Sequence, residues 1–188
     1  MAISNNNPLV DGASGKFGNN LVFRQRGKTT ILSARPRPST QAPTDKQMNQ
    51  RFLFTEASAY AKSANADPLV KAAYFEKAKG NQTAYNVAFK DFLTAPVLHK
   101  VETSTYSGAV GDKITCRITD VMAVTEVKLS LYDASGTLIE EGLAVQSSLK
   151  LDWVYTATVA HTPILGTRIL VQMTDTPANV YTEEFAIS

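Results

Sequence analysis

The chain has 188 residues, 44 % of them hydrophobic and 19 % charged, with a formal net charge of +2, a balance that buries a core and excludes a wholly disordered chain. Its one cysteine, Cys116, cannot close an intramolecular disulfide, and with His99 and His161 as the only histidines there is no Cys/His cluster for structural zinc. No stretch approaches the about 18 consecutive apolar residues of a membrane-spanning helix, and the first seven residues lack the basic and apolar parts of a signal peptide. The expectation is therefore no membrane span, and a cytoplasmic location or a place in an assembled particle or filament.

The small net charge conceals a split. Residues 1–96 carry 13 Lys and Arg against 6 Asp and Glu, a net of +7, whereas residues 97–188 carry 6 against 11, a net of −5. Between Lys16 and Arg51 the acidic side is represented by Asp45 alone. Such asymmetry points to a nucleic-acid contact or an oppositely charged partner, and the acidic half of a second copy would supply the latter.

Residues 1–20 hold three Gly and five Asn with few large apolar side chains and are expected to form a flexible or extended arm. Leu21–Gln25 and Lys28–Leu32 flank Arg26-Gly27 and predict a β-hairpin, with Leu21, Phe23 and Leu32 on one face and Val22, Arg24 and Ile31 on the other. A lone hairpin is marginal in water, so this one must dock against something else. Pro36, Pro38 and Pro43 keep the next stretch extended.

Three helices follow. Thr44 and Gln47 form a capping box opening a helix to about Ala64; Asp67-Pro68 opens a second, stopped by Gly80; Thr83 to Thr94 forms a third, ended by Pro96. The formal glycosylation sequon Asn81-Gln82-Thr83 is more simply the start of that third helix. From Val97 the period changes to that of strands, with runs near 97–102, 112–119, 126–132, 137–145, 152–160, 167–174 and 179–187. About seven short strands in about ninety residues is the pattern of an immunoglobulin-like sandwich, with Trp153 as its large core or rim aromatic. The predicted fold class is α+β in two parts: arm 1–20, basic hairpin plus three helices 21–96, and an all-β sandwich 97–188.

Leu131–Ile139, Trp153–Thr158 and Val171–Asp175 through Ala178-Asn179 resemble bacterial immunoglobulin-like modules, which act as spacers, adhesion units and assembly units alike. Those modules typically carry glycine where this chain has Ala178. More loosely, Gly15-Lys16, Gly18-Asn19, Gly27-Lys28-Thr29, the proline-rich stretch, and Thr44 with Gln47, Arg51 and Phe52 resemble uncharacterised proteins of Bacteroidota and their phages. That resemblance implies no site residues.

No residue pattern marks a catalytic, cofactor or metal site. Gly12–Phe17 lacks the spacing, the Ser or Thr after lysine and the preceding strand of a phosphate loop. His99 and His161 have no short-range catalytic partners, and Cys116 in mid-strand is expected to be an inert buried thiol. Glu140, Glu141, Glu183, Glu184 and Asp175 lack the spacing of a calcium loop and are expected on solvated strand faces and turn caps. What stands out is the basic hairpin. The expected function is a non-catalytic structural or self-assembly protein, of the kind that builds a filament, sheath or virion, with itself as partner and contacts through Leu21, Phe23, Arg24, Arg26, Lys28, Ile31, Arg35 and Arg37. The alternative is a nucleic-acid-binding protein in which the same arm and hairpin neutralise phosphates.

Overall fold

The structure, a computed structural model, describes residues 2–4, 7–36 and 40–187. It is a mixed α+β protein, predominantly β, with three four-stranded antiparallel sheets among the described residues. The chain forms two compact units: Met1–Phe52 with Lys79–Gln82, and Leu53–Ala78 with Thr83–Ser188.

In the first unit the strands β1 (Ala2–Ser4), β2 (Gly15–Phe17), β3 (Leu21–Arg26) and β4 (Thr29–Ala34) pair in the order β1-β4-β3-β2. The predicted hairpin is present, and its register, Leu21↔Ala34, Phe23↔Leu32 and Arg24↔Ile31, gives the two faces expected of it. Its loop is Gly27-Lys28, one residue later than expected, because the first loop position requires a positive φ and Gly27 supplies it at +60°. Within the expected arm, Ala2–Ser4 and Gly15–Phe17 extend the hairpin into a sheet, which answers the marginal stability of two strands alone. Gln25 Nε2 donates to Ala13 O at 2.8 Å and to Thr30 Oγ1 at 2.7 Å, tying the connecting segment to the hairpin.

Helix α1 (Asp45–Ala66) opens on the expected capping box, with Thr44 N–H donating to Gln47 Oε1 at 3.1 Å. Helix α2 (Pro68–Glu76) is capped by Asp67, which accepts from the backbone N–H groups of Leu69 and Val70, and α3 (Ala84–Leu93) by Thr83. In the second unit Ala61 and Ala64 of α1, Tyr74 of α2, and Ala84, Val87 and Ala88 of α3 form one buried cluster. Val121 and Met122 pack against the same cluster, so α2 and α3 belong with the strands that follow them, and the division of the chain differs from a boundary near Val97 for this reason.

The remaining strands are β5 (Val97–Glu102), β6 (Lys113–Thr119), β7 (Val124–Tyr132), β8 (Leu138–Leu143), β9 (Val145–Gln146), β10 (Asp152–Thr156), β11 (Arg168–Asp175) and β12 (Val180–Ala186). They pair as β5-β6-β10-β9 and β12-β11-β7-β8. The run expected at 137–145 is two strands, because the chain leaves one sheet at Ala144 and joins the other. Alternation places Ile114, Cys116 and Ile118 of β6, Trp153 and Tyr155 of β10, Leu129 and Leu131 of β7, and Ile169, Val171 and Met173 of β11 in a single core shared by both sheets. Burying each large aliphatic side chain there contributes about 1.5–3 kcal/mol.

Candidate interaction face on the N-terminal sheet

Pairing carries the hairpin's two faces across the whole sheet. Lys16 lies opposite Val22, Ile31 opposite both Arg24 and Ile3, and Arg26 opposite Thr29, so Lys16, Arg24 and Arg26 share a face with Ile3, Val22 and Ile31. The other face holds Leu21, Phe23 and Leu32 with Phe17, whose ring meets that of Phe23 edge-on at a centroid distance of 6.1 Å. Leu21, Phe23 and Ile31 are half-buried, whereas Ile3 is 63 % and Phe17 68 % exposed. Lys28 sits in the turn, and Arg35 follows β4 with its N–H donating to Asn20 O at 2.9 Å. The expected contact residues are thus divided between two faces and a turn, and Arg37 lies outside the described residues.

None of Lys16, Arg24, Arg26, Lys28 and Arg35 takes part in an ion pair among the described residues. The carboxylates of residues 97–187 differ sharply. Glu102, Glu141, Asp152 and Glu184 pair with Lys100, Lys128, Arg117 and Arg168. Asp112 accepts the Ser107 and Ala109 N–H groups and the Ser107 hydroxyl, and Asp133 the Ser135 hydroxyl and the Thr137 N–H, which lowers both below the usual carboxylate range. Glu140 is not on a solvated face: it is buried and accepts from the N–H groups of Thr158 and Val159 and the Thr158 hydroxyl. Asp175 caps its turn as expected but is 1 % exposed. Most of the negative charge is therefore engaged inside its own half, and little of it is presented to a basic partner.

Sequence reasoning missed Ile3, Lys16 and Phe17 as members of these faces. Only the alternation of Gly15-Lys16-Phe17 hints at a strand, and three residues are too few for a periodic signal. Helical spacing joins Met48, Phe52, Leu53, Ala57 and Tyr60 in one apolar stripe along α1, but Met48 and Phe52, one helical turn apart, are 56 % and 64 % exposed on the side opposite Ala57, Ala61 and Ala64.

The histidines stand apart from any such surface. His99 Nε2 lies 2.6 Å from Thr119 Oγ1, and His161 Nε2 is buried without a partner. Among the described residues no group of three His, Cys, Asp or Glu side chains is placed to hold a metal ion, and no helix is long and apolar enough to cross a membrane.

The chain matches no protein-family model and no curated protein. Among solved structures it is similar to CopC from Methylosinus trichosporium OB3b, at 14 % identity over 48 % of this chain and 89 % of that one, with a TM-score of 0.37. A likeness so slight defines neither fold nor function.

Proposed function

We propose that the protein is a non-catalytic structural subunit that assembles with copies of itself through its N-terminal sheet. The observation that carries this reading is the outermost pairing of that sheet: among the described residues β1 lies at its edge and pairs with β4 as Ala2↔Leu32, Ile3↔Ile31 and Ser4↔Thr30, while Ile3 stays largely exposed. A short strand on a sheet edge is readily replaced by the same strand of a neighbour, the low-barrier route to swapped assemblies. The exposed Phe17, Met48 and Phe52 add apolar surface of the kind that partners cover. Because the carboxylates of residues 97–187 are mostly engaged internally, the contact rests on strand pairing and apolar burial, with charge attraction in a minor role.

The C-terminal half serves in this reading as an immunoglobulin-like module. Its support is the strand order, β5-β6-β10-β9 facing β12-β11-β7-β8, which follows the ABED and GFC arrangement of that fold with one added edge strand.

The test mixes two singly substituted chains, Ile3→Cys and Ile31→Cys, and oxidises them. Directly opposed cross-strand residues are within reach of a disulfide, so a bridge between the two different chains is the expected product. A third chain carrying both substitutions is the control: if it alone forms the bridge, within itself, and the protein is a monomer at every concentration, the reading is overturned.

A second reading, nucleic-acid binding, is favoured by one specific observation: Lys16, Arg24 and Arg26 share a face and form no ion pair among the described residues. It predicts binding to single-stranded or duplex DNA whose affinity falls steeply with salt and is lost when those three are neutralised.

A further inference from the structure

Where the helices meet the strands of the second unit, three carboxylates from distant parts of the chain lie near one another, Asp91 and Asp175 buried and Asp120 half-buried. Asp91 of α3 is fully buried; its Oδ2 accepts from the Tyr74 hydroxyl at 2.7 Å, and its Oδ1 makes no hydrogen bond of good geometry, the backbone N–H of Met122 being the donor that faces the carboxylate. Asp120, between β6 and β7, accepts the Val121 N–H through Oδ1 at 2.7 Å, and its Oδ2 is likewise buried and unpartnered. Asp175, at the end of β11, is held by the backbone N–H of Asn179 at 2.7 Å and its side-chain amide at 3.0 Å. The Asn179 amide also donates to Phe92 O of α3 at 3.3 Å, joining the turn to the helix.

The other titratable groups around the cluster are tyrosines: Tyr60 from α1, whose hydroxyl lies 2.7 Å from that of Tyr74 of α2, and Tyr181 from β12. No lysine, arginine or histidine forms an ion pair with the three carboxylates among the described residues. Burial raises Asp91 to about 6, with the charges of Asp120 and Asp175 adding to the effect against hydrogen bonding from Tyr74 and the backbone N–H of Met122. Burial raises Asp120 and Asp175 as well.

We infer that this junction is an acid-strengthened clamp: protonation of the Asp91, Asp120 and Asp175 cluster holds α2 and α3 on the strands, and loss of those protons on the way to neutral pH loosens them. Water-excluded carboxylates without a countercharge are costly when ionised. Opening the helices returns them to water, where their affinity for protons falls to that of ordinary aspartates. The closed state therefore binds more protons than the open one across the intervening pH range, and its advantage is greatest below pH 4 and disappears as pH rises through 6. A carboxyl with a pKa of about 6 when closed and about 3.9 when exposed changes the opening equilibrium by about tenfold between pH 5 and pH 7.

Hydrogen exchange of the full chain, corrected for the intrinsic pH dependence of amide exchange, tests this directly. Amides of α2 and α3 are expected to open about tenfold more often at pH 7 than at pH 5, while those of β7 and β11 change less. Asp120→Asn preserves the acceptor for Val121 N–H and removes one charge, so it should reduce opening at pH 7 and flatten the profile. Asp91→Asn provides a second removal of charge, and Glu183→Gln, at an exposed carboxylate, should keep the full slope. Helix opening that is constant or decreases from pH 5 to pH 7 in the unaltered chain overturns the proposal. So does a full slope retained in both cluster variants, or a slope lost in Glu183→Gln.

Discussion

The backbone N–H of Asn179 donates to Asp175 Oδ1 at 2.7 Å, closing a turn in which Ala178 stands at φ +67°. That left-handed conformation crowds an L side chain and costs about 1–2 kcal/mol, and glycine is the residue that relieves it. Ala178→Gly is therefore expected to stabilise the protein by about 0.5–1 kcal/mol after its larger unfolded-state entropy is counted. The check is a higher urea midpoint with an unchanged m-value.

Gly108 combines a φ of +87° with no room for a side chain, since an added Cβ would meet the carbonyl oxygen of His161 and lie 2.8 Å from Ile164 Cγ2. Gly111 has a similar φ of +93° and open space around it. Gly108→Ala is expected to destabilise by about 3 kcal/mol or more and Gly111→Ala by about 1 kcal/mol. Thermal melts of the pair separate the steric part from the backbone part.

Cys116 lies between the sheets opposite Trp153, and burial pushes its thiol up to about 12. At pH 8 only about one thiol in ten thousand is ionised. A thiol reagent should leave the native protein unmodified and label one cysteine per chain once denaturant unfolds it.

Lys16, Arg24 and Arg26 are exposed and take part in no ion pair among the described residues. Their replacement by serine is expected to change stability by less than about 0.5 kcal/mol per residue. An unchanged melting temperature makes the triple variant a clean probe of assembly and of nucleic-acid binding.

Much of the local structure was legible because its causes are local. The caps at Thr44, Asp67 and Thr83 begin helices, since a side chain two or three residues from an unsatisfied N–H needs no tertiary partner. The hairpin's faces follow from period-two alternation, and strands recur where turns interrupt it. The loop's shift to Gly27-Lys28 shows the limit: composition locates a turn, whereas the sign of φ decides which residue enters it. The strands Ala2–Ser4 and Gly15–Phe17 were not legible, because strands this short owe their existence to the edge they join.

The candidate faces were half legible. Sequence alternation separated Phe23 from Arg24, but only pairing brought Lys16 beside Val22 and Ile3 beside Ile31. Charge shows the same division. The sequence alone determined how much charge each half carries, because that is a count. Tertiary structure decided which charges remain available: Glu141 and Glu184 found cations, Glu140 turned inward, and Asp91, Asp120 and Asp175 met in one junction. Whether a carboxylate faces water, a cation or another carboxylate depends on residues dozens of positions away, and desolvation and Coulomb energies act only once folding has brought them together.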